Sequence, residues 1–126
     1  MEDVRIVSLD HSELISAVQQ AMAGQLRRDG RLLPGAELGL LFYASSPDDL
    51  HVVGRVRQGS QVLLELTGRK AQLSAVATQL ALDRLPPAER RCLAPDARVE
   101  WRNVRFTGDG EPLDRFFADV TFRRRG

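Results

Sequence analysis

The sequence predicts an α+β fold: helices packed on one face of an antiparallel sheet of about five strands. Three observations carry the prediction. Two segments place apolar residues at helical spacing. Between them lie three segments of alternating apolar residues, joined by links too short for parallel crossovers. Two more alternating segments follow the second helix. The order is α-β-β-β-α-β-β, and helices on one side of an antiparallel sheet satisfy it. The chain of 126 residues has the size of one domain, read as residues 1–126. That length can bury a core without disulfides or metal.

Each element has its own signal. Val4, Ile6 and Leu9 suggest a short extra N-terminal strand or an extended lead-in. Asp10 fits a helix N-cap, with Glu13 three residues on as in a capping box. Leu14, Ile15, Val18, Met22 and Leu26 follow at helical spacing, Arg27 and Arg28 suit the C-terminal dipole, and Gly30 fits a left-handed cap. The first helix is therefore placed at residues 11–28.

Strand periodicity comes next. Leu38, Leu40 and Phe42 share one face, then Leu50, Val52, Gly54 and Val56, then Val62, Leu64 and Leu66. The stretch SSPDD reads as a turn and Gln58-Gly59 as a tight hairpin. Leu73, Val76, Ala77, Leu80 and Ala81 return to helical spacing until Pro86-Pro87 stops them. A proline-started helical turn fits PPAERRCLAPD, and the segments around Trp101 and Phe117 read as a final strand pair around a GDGEP turn.

The sheet face away from the helices carries the functional argument. Alternation puts Leu41, Tyr43, Val53, Leu63 and Phe117 there, among His51, Arg55, Arg57, Glu65, Asp119, Thr121 and Arg123. A face that meets only water should be polar, and this one is mixed. Trp101 has the opposite parity to Val104 and Phe106. It joins the second face unless a bulge near Arg102-Asn103 resets the alternation.

Composition narrows the partners. Eighteen Lys+Arg against 17 Asp+Glu give a net charge of +1, too little to steer the whole molecule to nucleic acid or an anionic membrane. Lys70 is the only lysine, which a genome favouring arginine codons explains. The single cysteine, Cys92, excludes an internal disulfide and suits a reducing compartment. MEDVRIVSLD lacks the apolar segment of a secretory signal, and LGLLFYA is far short of a membrane span. A cytoplasmic location is the expectation.

No catalytic, cofactor-binding or metal residue stands out. His11 reads as an exposed residue of the first helical turn, and His51 as a surface histidine that Asp48 or Asp49 can reach. Cys92, among arginines that would lower a thiol pKa, reads first as a half-buried neighbour of Leu93. TGRK carries only the last letters of a phosphate loop.

The expected function is a non-catalytic adaptor, chaperone or complex subunit that binds itself as a homodimer, another protein, or both. Leu41, Tyr43, Val53, Leu63 and Phe117 supply affinity, with Arg55, Arg57, Arg123 and Trp101 as orienting residues. A single-stranded nucleic-acid binder using the same arginines and aromatics is second. A small enzyme or ligand-binding pocket is third. No motif assigns a family; the element order is similar to that of several small α+β folds, the secretion-chaperone type included, and order alone carries no function.

Overall fold

The element order is β1 (Val4–Asp10), α1 (His11–Arg28), β2 (Glu37–Ala44), β3 (Leu50–Gln58), β4 (Gln61–Arg69), α2 (Lys70–Arg84), α3 (Pro87–Arg90), β5 (Leu93–Arg102) and β6 (Phe117–Arg124). The computed structural model describes residues 3–46, 49–104, 111–113 and 115–125. The fold is α+β and antiparallel, as the sequence predicts, and the extra N-terminal strand that the sequence offered is formed. The difference is that the six strands of the described residues form two three-stranded sheets, β1-β6-β5 and β2-β3-β4, and not one.

Pairing between the chain ends produces the division. β1 runs antiparallel to β6 from Val4↔Arg123 to Asp10↔Phe117, while among the described residues the strands β2, β3 and β4 form ladders only with one another. Leu113 N–H donates to Phe42 O at 2.7 Å and joins the segment before β6 to the edge of β2. A single core cluster draws on both sheets and both long helices, including Leu9, Leu14, Phe42, Val52, Leu73 and Phe122. Phe116, fully buried, packs against Phe42 with ring centroids 4.9 Å apart.

The helix ends follow local chemistry. Asp10 Oδ1 accepts from Glu13 N–H at 2.9 Å and Glu13 Oε2 accepts from Asp10 N–H at 3.1 Å, a complete capping box. At the other end Arg31 N–H reaches Leu26 O and Gly30 N–H reaches Arg27 O, with Gly30 at φ +69°. This is the paired bonding of a Schellman motif. α2 lacks an acidic cap, and Gln72 Oε1 instead accepts from Arg69 N–H at 2.8 Å. Its Ala77 and Ala81 are fully buried, so small side chains bring this helix close to the strands.

Three readings change phase. In β1 the inward residues are Val7 and Leu9, while Ile6 is 51 % exposed. In β4 the register shifts between Val56↔Leu64 and Arg57↔Val62, leaving Leu63 as the extra residue of a bulge. Val62 therefore stands opposite Arg57 and faces out, not in with Leu64 and Leu66. In β5 the strand ends at Arg102 and Asn103 takes φ +61°. That reversal lets Trp101 and Val104 both pack on the core despite their parity.

Candidate docking face

The outward face of β2-β3-β4 holds the apolar residues that the helices leave uncovered. Cross-strand register builds it in rows. Tyr43 lies opposite His51, Leu41 opposite Val53 and Thr67, Gly39 opposite Arg55 and Glu65, and Glu37 opposite Arg57 and Val62. Leu41, Val62 and Leu63 are 38 %, 46 % and 42 % exposed, and Tyr43 and Val53 are half-buried. The two segments available to roof this face lie elsewhere. β1 is an outer strand of the other sheet, and α3 sits beside it, where Glu89 accepts from Arg5 at 2.8 Å.

The rows differ in chemistry along the face. At one end Tyr43 and His51 stack with centroids 5.7 Å apart, and His51 Nδ1 lies 3.4 Å from Asp49 Oδ1. Asp48 lies outside the described residues. In the middle Arg55 Nε donates to Glu65 Oε2 at 3.0 Å. That bond pushes the Arg55 guanidinium still further above its ordinary value. Beside this pair lies a depression of about 250 Å³ lined by Gly39, Leu41, Val53, Arg55 and Arg57. Its cause is Gly39, where an added Cβ would meet nothing within 4 Å. Arg57, at the far end, has no ion-pair or hydrogen-bond partner among the described residues.

Of the nine residues that the sequence assigns to partner binding, the structure gathers Leu41, Tyr43, Val53, Leu63, Arg55 and Arg57 on this one sheet. The other three stand apart. Phe117 is on β6, under the Arg102 guanidinium at 5.3 Å from the ring centroid. Arg123, also on β6, donates to Asp96 at 2.6 Å. Trp101 faces inward, with its indole N–H 3.3 Å from Ser74 Oγ and its ring 6.4 Å from Phe116. Alternation gives each residue a face but not a sheet. Sequence reasoning missed Val62, hidden by the bulge, and Gly39, whose outward parity was the signal available.

The outer face of β1-β6-β5 is mostly ionic. Asp119 accepts from Arg102 and from Ser8 at 2.8 Å. These bonds, Arg102 first, hold its carboxyl below the ordinary carboxylate value, and Arg123 does the same to Asp96. A second apolar cleft, of about 280 Å³, runs between α1 and α2 beside β4, over Val52 and Leu73, with Met22 and Val76 on its walls.

The nucleophile and metal candidates sit differently from expectation. Cys92 is exposed rather than half-buried, because Leu93 takes the inward position at 4 % exposure. His11 is half-buried, not exposed. Its ring lies 6.5 Å from that of Phe116, and its Nδ1 is enclosed without a hydrogen-bond partner. Among the described residues no three His, Cys, Asp or Glu side chains gather as metal ligands, and no helix is long and apolar enough to cross a membrane. Compared with family models, curated proteins and solved structures, the chain matches none.

Proposed function

We propose that this chain is a non-catalytic interaction domain, acting as an adaptor, chaperone or complex subunit, that takes up a protein segment on the outer face of β2-β3-β4. One observation carries the reading: two apolar pairs, Leu41 with Val53 and Val62 with Leu63, lie on one sheet face either side of the Arg55–Glu65 row, and the described residues of the chain leave that face open. Covering the exposed part of such a side chain is worth roughly 1–2 kcal/mol. Association costs ~4–15 kcal/mol, so the apolar contacts alone give weak binding. Charge and hydrogen bonding must add to them.

Size favours a segment over a whole second copy on this face. Strands of 8, 9 and 9 residues span ~27 Å by ~14 Å, or ~400 Å². A standard interface takes about 800 Å² from each partner. Homodimerisation is proposed along β4 instead, an edge strand with no backbone hydrogen bond on its outward side among the described residues. Antiparallel pairing of two copies centred on Thr67 sets Glu65 opposite Arg69 twice, an opposite-charge arrangement that favours the pair. Nucleic-acid binding is the weaker alternative, because Arg55, Arg102 and Arg123 are already engaged by Glu65, Asp119 and Asp96.

The test is to pan a random peptide library on the immobilised protein, with a Leu41→Asp/Leu63→Asp variant as comparison. Both positions are exposed, so the variant keeps the fold, which circular dichroism checks. Selected peptides should bind the wild type and lose most affinity for the variant. Peptides that bind both equally, or no selection at all, end the reading. Sedimentation over a concentration range tests the dimer, and a strict monomer at high concentration removes it.

A further inference from the structure

We infer that the Gly39 depression receives one apolar side chain of an acidic partner segment, and that Arg57 binds a carboxylate two residues along the same segment. The inference rests on the docking reading above and names the partner's chemistry.

Three observations converge. The depression has an apolar floor, Leu41 and Val53, and an empty centre where any other residue at position 39 would project a side chain. Gly39 stands directly opposite Arg55 across the strands, and its backbone lacks the positive φ that would demand glycine. Local conformation therefore does not require a glycine here, whereas an open seat on the face does. The second observation is charge. Two arginines flank the seat, and among the described residues no carboxylate lines it. Arg55 is held by Glu65, but Arg57 is not held by Glu37, although the two stand opposite each other in the ladder. A guanidinium that no described residue engages, beside an apolar seat, suits a carboxylate, which it can grip through two parallel hydrogen bonds. The third is spacing. Arg55 and Arg57 are two residues apart on β3, about 6.6 Å along the strand. An extended segment lying over β3 repeats its side chains on one face at that same interval. Leucine in the seat and glutamate over Arg57 therefore fall at positions i and i+2.

A second copy is the competing occupant. The face is about half the area that a stable dimer needs from each side, while a short extended segment covers it fully.

Fluorescence anisotropy with three blocked, fluorescein-tagged octapeptides tests the inference. The first repeats Ser-Leu-Ser-Glu, the second replaces its glutamates by lysine, and the third replaces its leucines by serine. The wild type should bind the first at least tenfold more tightly than either control, with binding weakening as salt rises. Gly39→Leu projects a side chain into the seat from a Cβ that meets nothing within 4 Å and should cost at least tenfold. Arg57→Glu should reverse the preference towards the lysine peptide. The inference is overturned if the glutamate and lysine peptides bind alike, if none binds, or if Gly39→Leu binds as the wild type does. It is also overturned if Gly39→Leu turns a dimer into a monomer, which makes a second copy the occupant. Peptides selected by panning that need Leu41 and Leu63 but ignore Gly39 and Arg57 would uphold the docking face while removing this inference.

Discussion

Adding one methyl group at Gly68 should destabilise the protein, while the same addition at Gly39 should not. Gly68 is buried and lies opposite Val52, a fully buried residue of the central strand β3. A Cβ at Gly68 would stand 2.8 Å from Val52 Cγ1, inside van der Waals contact. Val52 belongs to the main core cluster together with Leu14 and Val18 of α1 and Leu73 of α2, so it cannot swing aside freely. Overpacking of this kind costs about 1–3 kcal/mol. Alanine regains ~0.5–1 kcal/mol over glycine through the entropy of the unfolded chain, which leaves a net loss of up to ~2.5 kcal/mol, ~1 kcal/mol at the midpoint. With ~2.1 cal/mol/K of unfolding entropy per residue, a chain of 126 residues loses ~4 °C of Tm per kcal/mol. Gly68→Ala should therefore melt ~4 °C below wild type at the midpoint, and at most ~10 °C below. At Gly39, with nothing within 4 Å of the added atom, only the entropic gain remains, and Gly39→Ala should melt ~2–4 °C higher. Thermal unfolding followed by circular dichroism reads both. A Gly68→Ala protein that melts as high as Gly39→Ala would refute the packing of β4 against Val52.

The adjacent phenylalanines should respond unequally. Phe116→Ala removes a fully buried ring and should cost ~3–5 kcal/mol in urea denaturation; Phe117→Ala, at a half-buried outer position under Arg102, should cost less than half as much. Acid sensitivity should depend on Asp119. Its carboxyl is held below the ordinary carboxylate range by Arg102 first and then Ser8, so its contribution is present above that range and is lost as pH falls through the lower folded value. Asp119→Asn should weaken the protein at pH 7, and its gap from wild type should close in strong acid; a gap that stays constant with pH would show that the ionised form is not what stabilises. Cys92→Ser, at an exposed position, should change stability by no more than ~0.5 kcal/mol, and labelling of the native protein with a thiol reagent should be fast.

What the sequence made legible was local. The capping box at Asp10 and Glu13, the left-handed Gly30 and the hairpin at Gly59 are each set by neighbours within a few residues, and each appears in the structure. Gly59, at φ +60°, takes the first central position of a two-residue loop, as a type II′ turn requires. Alternation also sorted most strand residues correctly into inward and outward sets.

The misreadings are all non-local or irregular. Nothing in β1 announces that its partner is β6, more than a hundred residues away, so one sheet was expected where the chain ends form their own. That division takes Phe117 and Arg123 away from Leu41 and Val53. The bulge at Leu63 adds one residue to β4 and flips Val62 outward, with no glycine or proline to mark it. The break at Asn103 was partly legible, because the parity conflict between Trp101 and Val104 required some reset and asparagine tolerates φ > 0.

The most direct test of the docking face is a methyl-labelled NMR titration with the Ser-Leu-Ser-Glu octapeptide, with the best panned peptide run alongside. Methyl signals of Leu41, Val53, Val62 and Leu63 should shift together and saturate with one affinity, while those of Met22, Leu66 and Val76 around the interhelical cleft stay in place. Shifts confined to the cleft methyls, or to Val4 and Ile6 on the other sheet, would contradict it.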